Sequence, residues 1–449
     1  VKAHWQSIGH RPHHGICLPL FAIHTKNGPA TFLDLIPLID WCHSLGLDCI
    51  QLLPLNDSGS DPSPYNPISS CALNPRYLAP HSNTPPPQSF LDQNPWLLPY
   101  AQFKAYKARF QDKNWTDWPT PLPSLTPFEL EPHITAQYHA FQQLAQVHAH
   151  ATKKGVFLIG DVPILVSPDS ADVWANPHLF HLNIAAGAPP DYYNQLGQYW
   201  GFPLFNWDAM RKTHFAWWKL RLKVAERLFH IYRIDHVVGF FRIWGIPKGQ
   251  KPTKGSFYPP DPSLWTAHGT ELLNMMLDAT TLLPIAEDLG TIPPEVYPIL
   301  KNLGICGTKV IRWQKHDGHF IPYSDYEPLS LTTVSTPDMP GLTLWWKQYP
   351  SEAVPFAAFK HWAYHPLLSH DQLFEILRDS HHTASIFHIN PLQEYLALFP
   401  SLAWPNPEQD RINKPGTLLP TNWTYHFRPT LEELLAHEGL KEAFRKILS

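Results

Sequence analysis

The chain has 449 residues, 44% of them apolar, enough for a large core built either as two or three average domains or as one elaborated α/β barrel. A net charge of −4 and a pI near 6.7 argue against an electrostatic nucleic-acid binder. Charged residues make up only 16% and aromatics 13%, with 18 Trp, a balance that suits a neutral ring-shaped ligand as well as an aromatic-rich core.

In chain order, eight apolar, β-branched segments stand out: 15–20, 49–55, 156–163, 231–235, 283–287, 308–313, 331–335 and 384–390. Most are near-continuous apolar runs, as in strands buried on both faces. Amphipathic helix patterns fall between several of them, at 32–45, 137–153, 215–229 and 293–303. Eight alternating repeats argue for a closed (β/α)8 TIM barrel, a single catalytic domain over 1–449, rather than an open sheet. The repeats are uneven. Residues 84–150 read as an inserted, partly helical subdomain between strands 2 and 3. Residues 183–208 read as an aromatic active-site loop, and 399–428 as a loop after strand 8. The 49 prolines, roughly twice the usual ~5%, are scattered, which points to long rigid loops. The five Cys form no Cys-x-x-Cys pair, and neither His13-His14 nor His381-His382 has a partner at ligand spacing, so no disulfide framework and no metal site are expected. With neither a leader pattern nor an apolar run of about 18 residues, a cytoplasmic protein that does not enter a membrane is expected.

Three of these segments end in acid: Asp235, Glu287 and, just past Thr336-Pro337, Asp338, at spacings of 52 and 51 residues. Barrel active sites lie at the C-terminal ends of strands. Residues two apart in a strand share a face, so Arg233 and Asp235 point the same way. A guanidinium beside a carboxylate stabilises its ionised form, which a nucleophile needs; a structural ion pair would read the same. Glu287, in an apolar run with Asp288 beside it, suits a carboxyl that starts protonated. Two carboxyls flanking a glycosidic bond would then cleave it.

At these residues the chain resembles the 4-α-glucanotransferases (amylomaltases or disproportionating enzymes, glycoside hydrolase family 77). The resemblance runs nearly end to end: Leu-Pro-Leu at 53–55, Ser-Pro-Tyr at 63–65, Ala-Leu-Asn-Pro at 72–75, Gly-Asp-Val-Pro at 160–163, Pro-Pro-Asp-Tyr-Tyr at 189–193 and Gly-Gln-Tyr-Trp-Gly at 197–201. Arg-Ile-Asp-His at 233–236, Ala-Glu-Asp-Leu-Gly at 286–290, Arg-Ile-Asn-Lys-Pro-Gly at 411–416 and Asn-Trp at 422–423 complete it. The run from Arg233 to Trp244 looks most similar to the maltose-using plant branch of that family. The resemblance implies a retaining transferase that moves glucosyl or maltooligosyl units between α-1,4-glucans, with Asp235 as nucleophile, Glu287 as acid/base and Asp338 as the third carboxylate. It implies that Arg233, His236, Tyr65, Asp191, Gln198, Trp200 and Asn413 line the glucan groove. Malto-oligosaccharides, maltose and glycogen or a starch-like glucan are the implied partners. No cofactor, nucleic acid or membrane is implied, and the oligomeric state is left open.

One departure stands out: the family pattern has His before the third carboxylate, and this chain has Pro337. Losing one donor to the substrate would cost about 1–3 kcal/mol in the transition state. An α-glucan hydrolase, or a non-catalytic glucan-binding protein, is the alternative if Pro337 has altered the site.

Overall fold

A computed structural model describes residues 2–449. The eight expected segments form eight parallel strands: β1 (His13–Leu18), β2 (Cys49–Leu52), β3 (Phe157–Val162), β4 (Ile231–Ile234), β5 (Leu283–Ala286), β6 (Gly307–Val310), β7 (Ser330–Thr333) and β8 (Phe387–Pro391). They pair in the order β5-β4-β3-β2-β1-β8-β7-β6. A parallel bridge between Ile285 and Cys306 closes the remaining seam, with the Ala286 N–H donating to the Cys306 carbonyl at 2.7 Å. The architecture is the expected TIM-like barrel.

Strand parity decides what faces inward. Ile231, Leu283, Ile285, Ile159 and Leu331 pack together inside the barrel. Tyr232, Ile234 and Ala286, one residue out of phase, belong to the layer between sheet and helices. Gly15 permits close strand approach: a Cβ there would sit 2.3 Å from the Cys49 carbonyl oxygen. Of the expected helices, Leu35–Ser44, Ala216–Glu226 and Val296–Asn302 lie within the read segments. The helix expected over 137–153 begins ten residues earlier, as Pro127–Lys154, because Thr126 and Glu129 form a capping box and Pro127 takes a first-turn position. It ends at Gly155 (φ 69°). Ahead of it, helices Gln88–Gln93 and Leu97–Arg109 gather around Tyr100, Phe103 and Trp118.

The stretch 183–208 is mostly ordered sheet. Strands Phe180–Ala188 and Gln198–Phe205 pair antiparallel and extend, through Ile243–Pro247 and Ser256–Tyr258, into a four-stranded sheet. The tip, 189–197, is irregular, and 206–208 lead into the helix Trp207–Lys212. The ribbon's partner strands come from the connection after β4, far away in sequence, so local pattern could not reveal the pairing. Among the described residues, no helix is long and apolar enough to cross a membrane.

Candidate active site

The C-terminal mouth of the barrel holds a pocket lined by Tyr65, Asp161, Arg233, Glu287, Thr308 and Pro337. Its centre is the Arg233 guanidinium. Nη1 donates to Asp161 Oδ1 (2.9 Å), Asp161 Oδ2 (3.1 Å) and Asp235 Oδ1 (3.1 Å), while Nη2 lies 3.5 Å from Glu287 Oε2. One cation therefore serves three carboxyls. The excess negative charge and the burial of the site favour the protonated forms of Glu287 and Asp161. Burial, with the charge of Asp235, pushes Glu287 up to about 8. Burial likewise raises Asp161 to about 6, against the pull of Arg233.

The neighbour that raises Glu287 is not the one sequence adjacency suggests. Adjacent strand residues face opposite sides. Asp288 is turned away, accepting the Thr308 N–H at 2.7 Å, and Asp235 and Asp338 are the acidic groups that act on Glu287. The ionised form of Glu287 is also served by backbone donors, the N–H of His236 at 2.8 Å and that of Leu289 at 3.2 Å. Asp235 Oδ2 accepts the Ile164 N–H at 3.3 Å.

His236 follows β4 in the left-handed region (φ 46°, ψ 58°), a conformation unusual for a side-chain-bearing residue and held by bonds from its own N–H and from Val237 to Glu287. Burial lowers its imidazole to about 4, so it is neutral near pH 7. Trp200 meets it edge-on at 5.1 Å and donates through Nε1 to Gln198 Oε1 at 3.0 Å. Tyr65 donates its hydroxyl to Asp161 Oδ2 at 2.5 Å and sets its ring 5.4 Å from Trp423. Asp338 lies on the solvent-reached rim, where Asn413 Nδ2 donates to its Oδ1 at 2.8 Å. The Asn413 N–H donates to the Pro337 carbonyl at 3.2 Å. Proline thus lacks a side-chain donor but still supplies the acceptor that ties this loop to the 411–423 segment.

Asp191 is the expected residue left apart. It is exposed in the ribbon tip, its Oδ1 accepting the Asn194 N–H at 2.7 Å, and among the described residues no hydrogen bond links it to the carboxyl cluster. The tip does reach the C-terminal segment: a Cβ on Gly416 (φ 74°) would lie 2.7 Å from Asn194 Nδ2 and 3.7 Å from Gln198 Cγ. Asp161 and Trp423 belong to the site and were not singled out from the sequence as site residues. Asp161 carried the same signal as Asp235, an acid at the end of a buried strand. At the opposite end of the barrel, His13 Nδ1 meets Asp48 Oδ2 at 2.8 Å near Cys49, an acidic partner that sequence spacing did not show. Arg11 also pairs with Asp48, at 2.7 Å, and burial raises the Cys49 thiol well above its usual value, so this group reads as a structural ion pair.

A closed barrel with carboxyls gathered around one arginine at its C-terminal mouth is the layout of an enzyme that cleaves glycosidic bonds. The model of the 4-alpha-glucanotransferase family matches residues 18–87 and 81–432. A 4-alpha-glucanotransferase of Chlamydia pneumoniae is 41% identical, covering 99% of this chain and 97% of its own. One of Chlamydia trachomatis is 38% identical, with 98% and 96% covered. A rice 4-alpha-glucanotransferase matches at 32% over 52% of this chain and 32% of its own length. Among solved structures, the amylomaltase from Streptococcus agalactiae in complex with acarbose superposes with a TM-score of 0.82 at 23% identity, covering 98% of this chain and 99% of that one. The chain belongs to the 4-alpha-glucanotransferase family.

Proposed function

We propose that the chain transfers glucosyl or maltooligosyl units between α-1,4-glucans by a retaining double displacement, using maltose, malto-oligosaccharides and glycogen or a starch-like glucan in the cytoplasm. Asp235 attacks the anomeric carbon, and the proton of Glu287 passes to the departing glycosidic oxygen, which leaves as a 4-hydroxyl. In the second step an acceptor 4-hydroxyl gives its proton to Glu287 and attacks the same carbon, releasing Asp235. Asp338, steadied by Asn413, holds sugar hydroxyls; Arg233, His236, Tyr65, Gln198 and Trp200 line the bound glucan, and Asp191 acts from the ribbon tip.

The observation that carries this reading is the sharing of Arg233. It touches both Asp235 and Glu287, and Glu287 pushed up to about 8 retains its proton at neutral pH, as a leaving-group acid must. Two carboxyls held against one guanidinium also suit the short separation that retention uses. Transfer requires water to be kept out, and the contact of Gly416 with Asn194 and Gln198 brings two cover segments together beside the mouth. The five free, buried cysteines suit a reducing compartment.

The test is incubation with maltotriose, resolving products by length while measuring total reducing ends. Longer glucans with free glucose and constant reducing ends are expected. Rising reducing ends without longer products would make it a hydrolase, and no change with maltotriose or with maltose plus glycogen would make it a non-catalytic member.

A further inference from the structure

We infer that Arg312 is a positioning residue for Asp338, clamping both ends of the loop that carries it. The inference rests on the role given to Asp338 above. Arg312 follows β6 in the turn Ile311–Trp313 and is 2% exposed. Its Nε donates to the Val334 carbonyl at 3.2 Å and its Nη2 to the Pro340 carbonyl at 2.6 Å. These carbonyls bracket Ser335 to Met339, the span that leaves β7 and contains Asp338. A planar guanidinium presents two nitrogens at a fixed spacing to two acceptors, whereas a lysine ammonium is a single donor centre on a flexible stem.

The surroundings make the clamp rigid. The Arg312 guanidinium lies 4.9 Å from the centre of the Trp345 ring, and the carboxyls of Glu394 and Glu352 favour its charged form against burial. Glu394 in turn accepts the Leu342 N–H at 3.2 and 3.1 Å, and Asn390 of β8 accepts the Val334 N–H at 2.9 Å. The loop is therefore fixed just outside each end of the arginine clamp. Within it, two side chains from the 411–423 segment reach Asp338: Asn413 Nδ2 donates to its carboxyl at 2.8 Å, and Arg411 Nη2 to its backbone carbonyl at 3.4 Å. The 411–423 segment holds the middle of the loop, at the Pro337 and Asp338 carbonyls, while Arg312 fixes the spacing of its two ends from within the barrel wall, and the carboxyl is oriented only when those ends are in place.

The test is a double-mutant cycle on maltotriose disproportionation, with R312K, D338N and the pair, reading kcat, KM and the thermal midpoint. R312K keeps the charge but replaces the rigid two-nitrogen fork with one flexible donor centre. We expect its kcat to fall at least tenfold with KM within about threefold, and the pair to be no slower than D338N alone within about twofold, since residues acting as one unit do not add. R312K at wild-type kcat, or losses that multiply in the pair, would overturn the inference. D338N at wild-type kcat would instead bring down the role of Asp338, and the role of Arg312 with it. Should R312K fail to fold, R312Q, which needs no counter-charge, takes its place in the cycle with the same expected outcomes.

Discussion

Replacing Glu287 with glutamine should raise the stability of the protein relative to wild type as the pH rises. A carboxyl raised from 4.5 to about 8 by burial folds readily while protonated and resists folding once the unfolded chain ionises it. The penalty is absent below pH 4.5, grows through the window from 4.5 to 8 and is complete above it. At 1.36 kcal/mol per pH unit it reaches about 5 kcal/mol. Part belongs jointly to Asp235 and Asp338, so about 2–4 kcal/mol is the share that E287Q should relieve. Glutamine also gives up one of the two backbone bonds from His236 and Leu289, a pH-independent cost of about 1–3 kcal/mol. The difference between variant and wild type must therefore climb from pH 5 to pH 8.5, passing from destabilised to level or stabilised. For a chain of this length about 1 kcal/mol corresponds to roughly 1 °C in melting midpoint, so a relative gain of about 2–4 °C is expected in thermal melts at matched ionic strength. A difference that stays flat across that range would refute the idea that Glu287 is held protonated by its surroundings.

Asp235→Asn should lower kcat by about 10⁴ or more while calorimetric affinity for oligosaccharides survives; near-wild-type transfer would remove Asp235 from the mechanism. The rate constant kcat/KM for maltotriose should decline above pH about 8, as Glu287 loses the proton it must donate, and an unchanged rate to pH 9.5 would contradict this assignment. Pro337→His should restore a side-chain donor next to Asp338 worth about 1–3 kcal/mol, raising kcat/KM by roughly 5- to 150-fold; a loss of rate would mean that proline is the better fit to this loop. Gly239→Ala would place a Cβ 2.4 Å from Ile164 Cδ1 and 2.9 Å from His236 Cδ2. The His236 ring must move, so kcat should drop about tenfold with a loss of about 1–3 kcal/mol in stability, and a silent variant would show that the imidazole position is not critical.

By itself the sequence determined the eight strands, because each is a buried apolar run whose signal is local. It also determined that Arg233 and Asp235 face inward together, because strand parity is a period of two and needs no partner to be read. Composition excluded a basic binding surface on the same local grounds. Only the tertiary structure decided which strand ends meet. The parallel register of β3 and β4 sets Asp161 opposite Arg233, and this cross-strand pairing turns an Arg-x-Asp motif into one cation shared by three carboxyls. It likewise decided that Asp235 rather than the adjacent Asp288 raises Glu287, that 183–208 is chiefly a ribbon, and that Asp191 stands apart from the carboxyl cluster. Each of these depends on contacts between segments tens of residues apart, fixed by barrel closure and loop packing. A linear pattern carries the phase of a strand but not the identity of its neighbour.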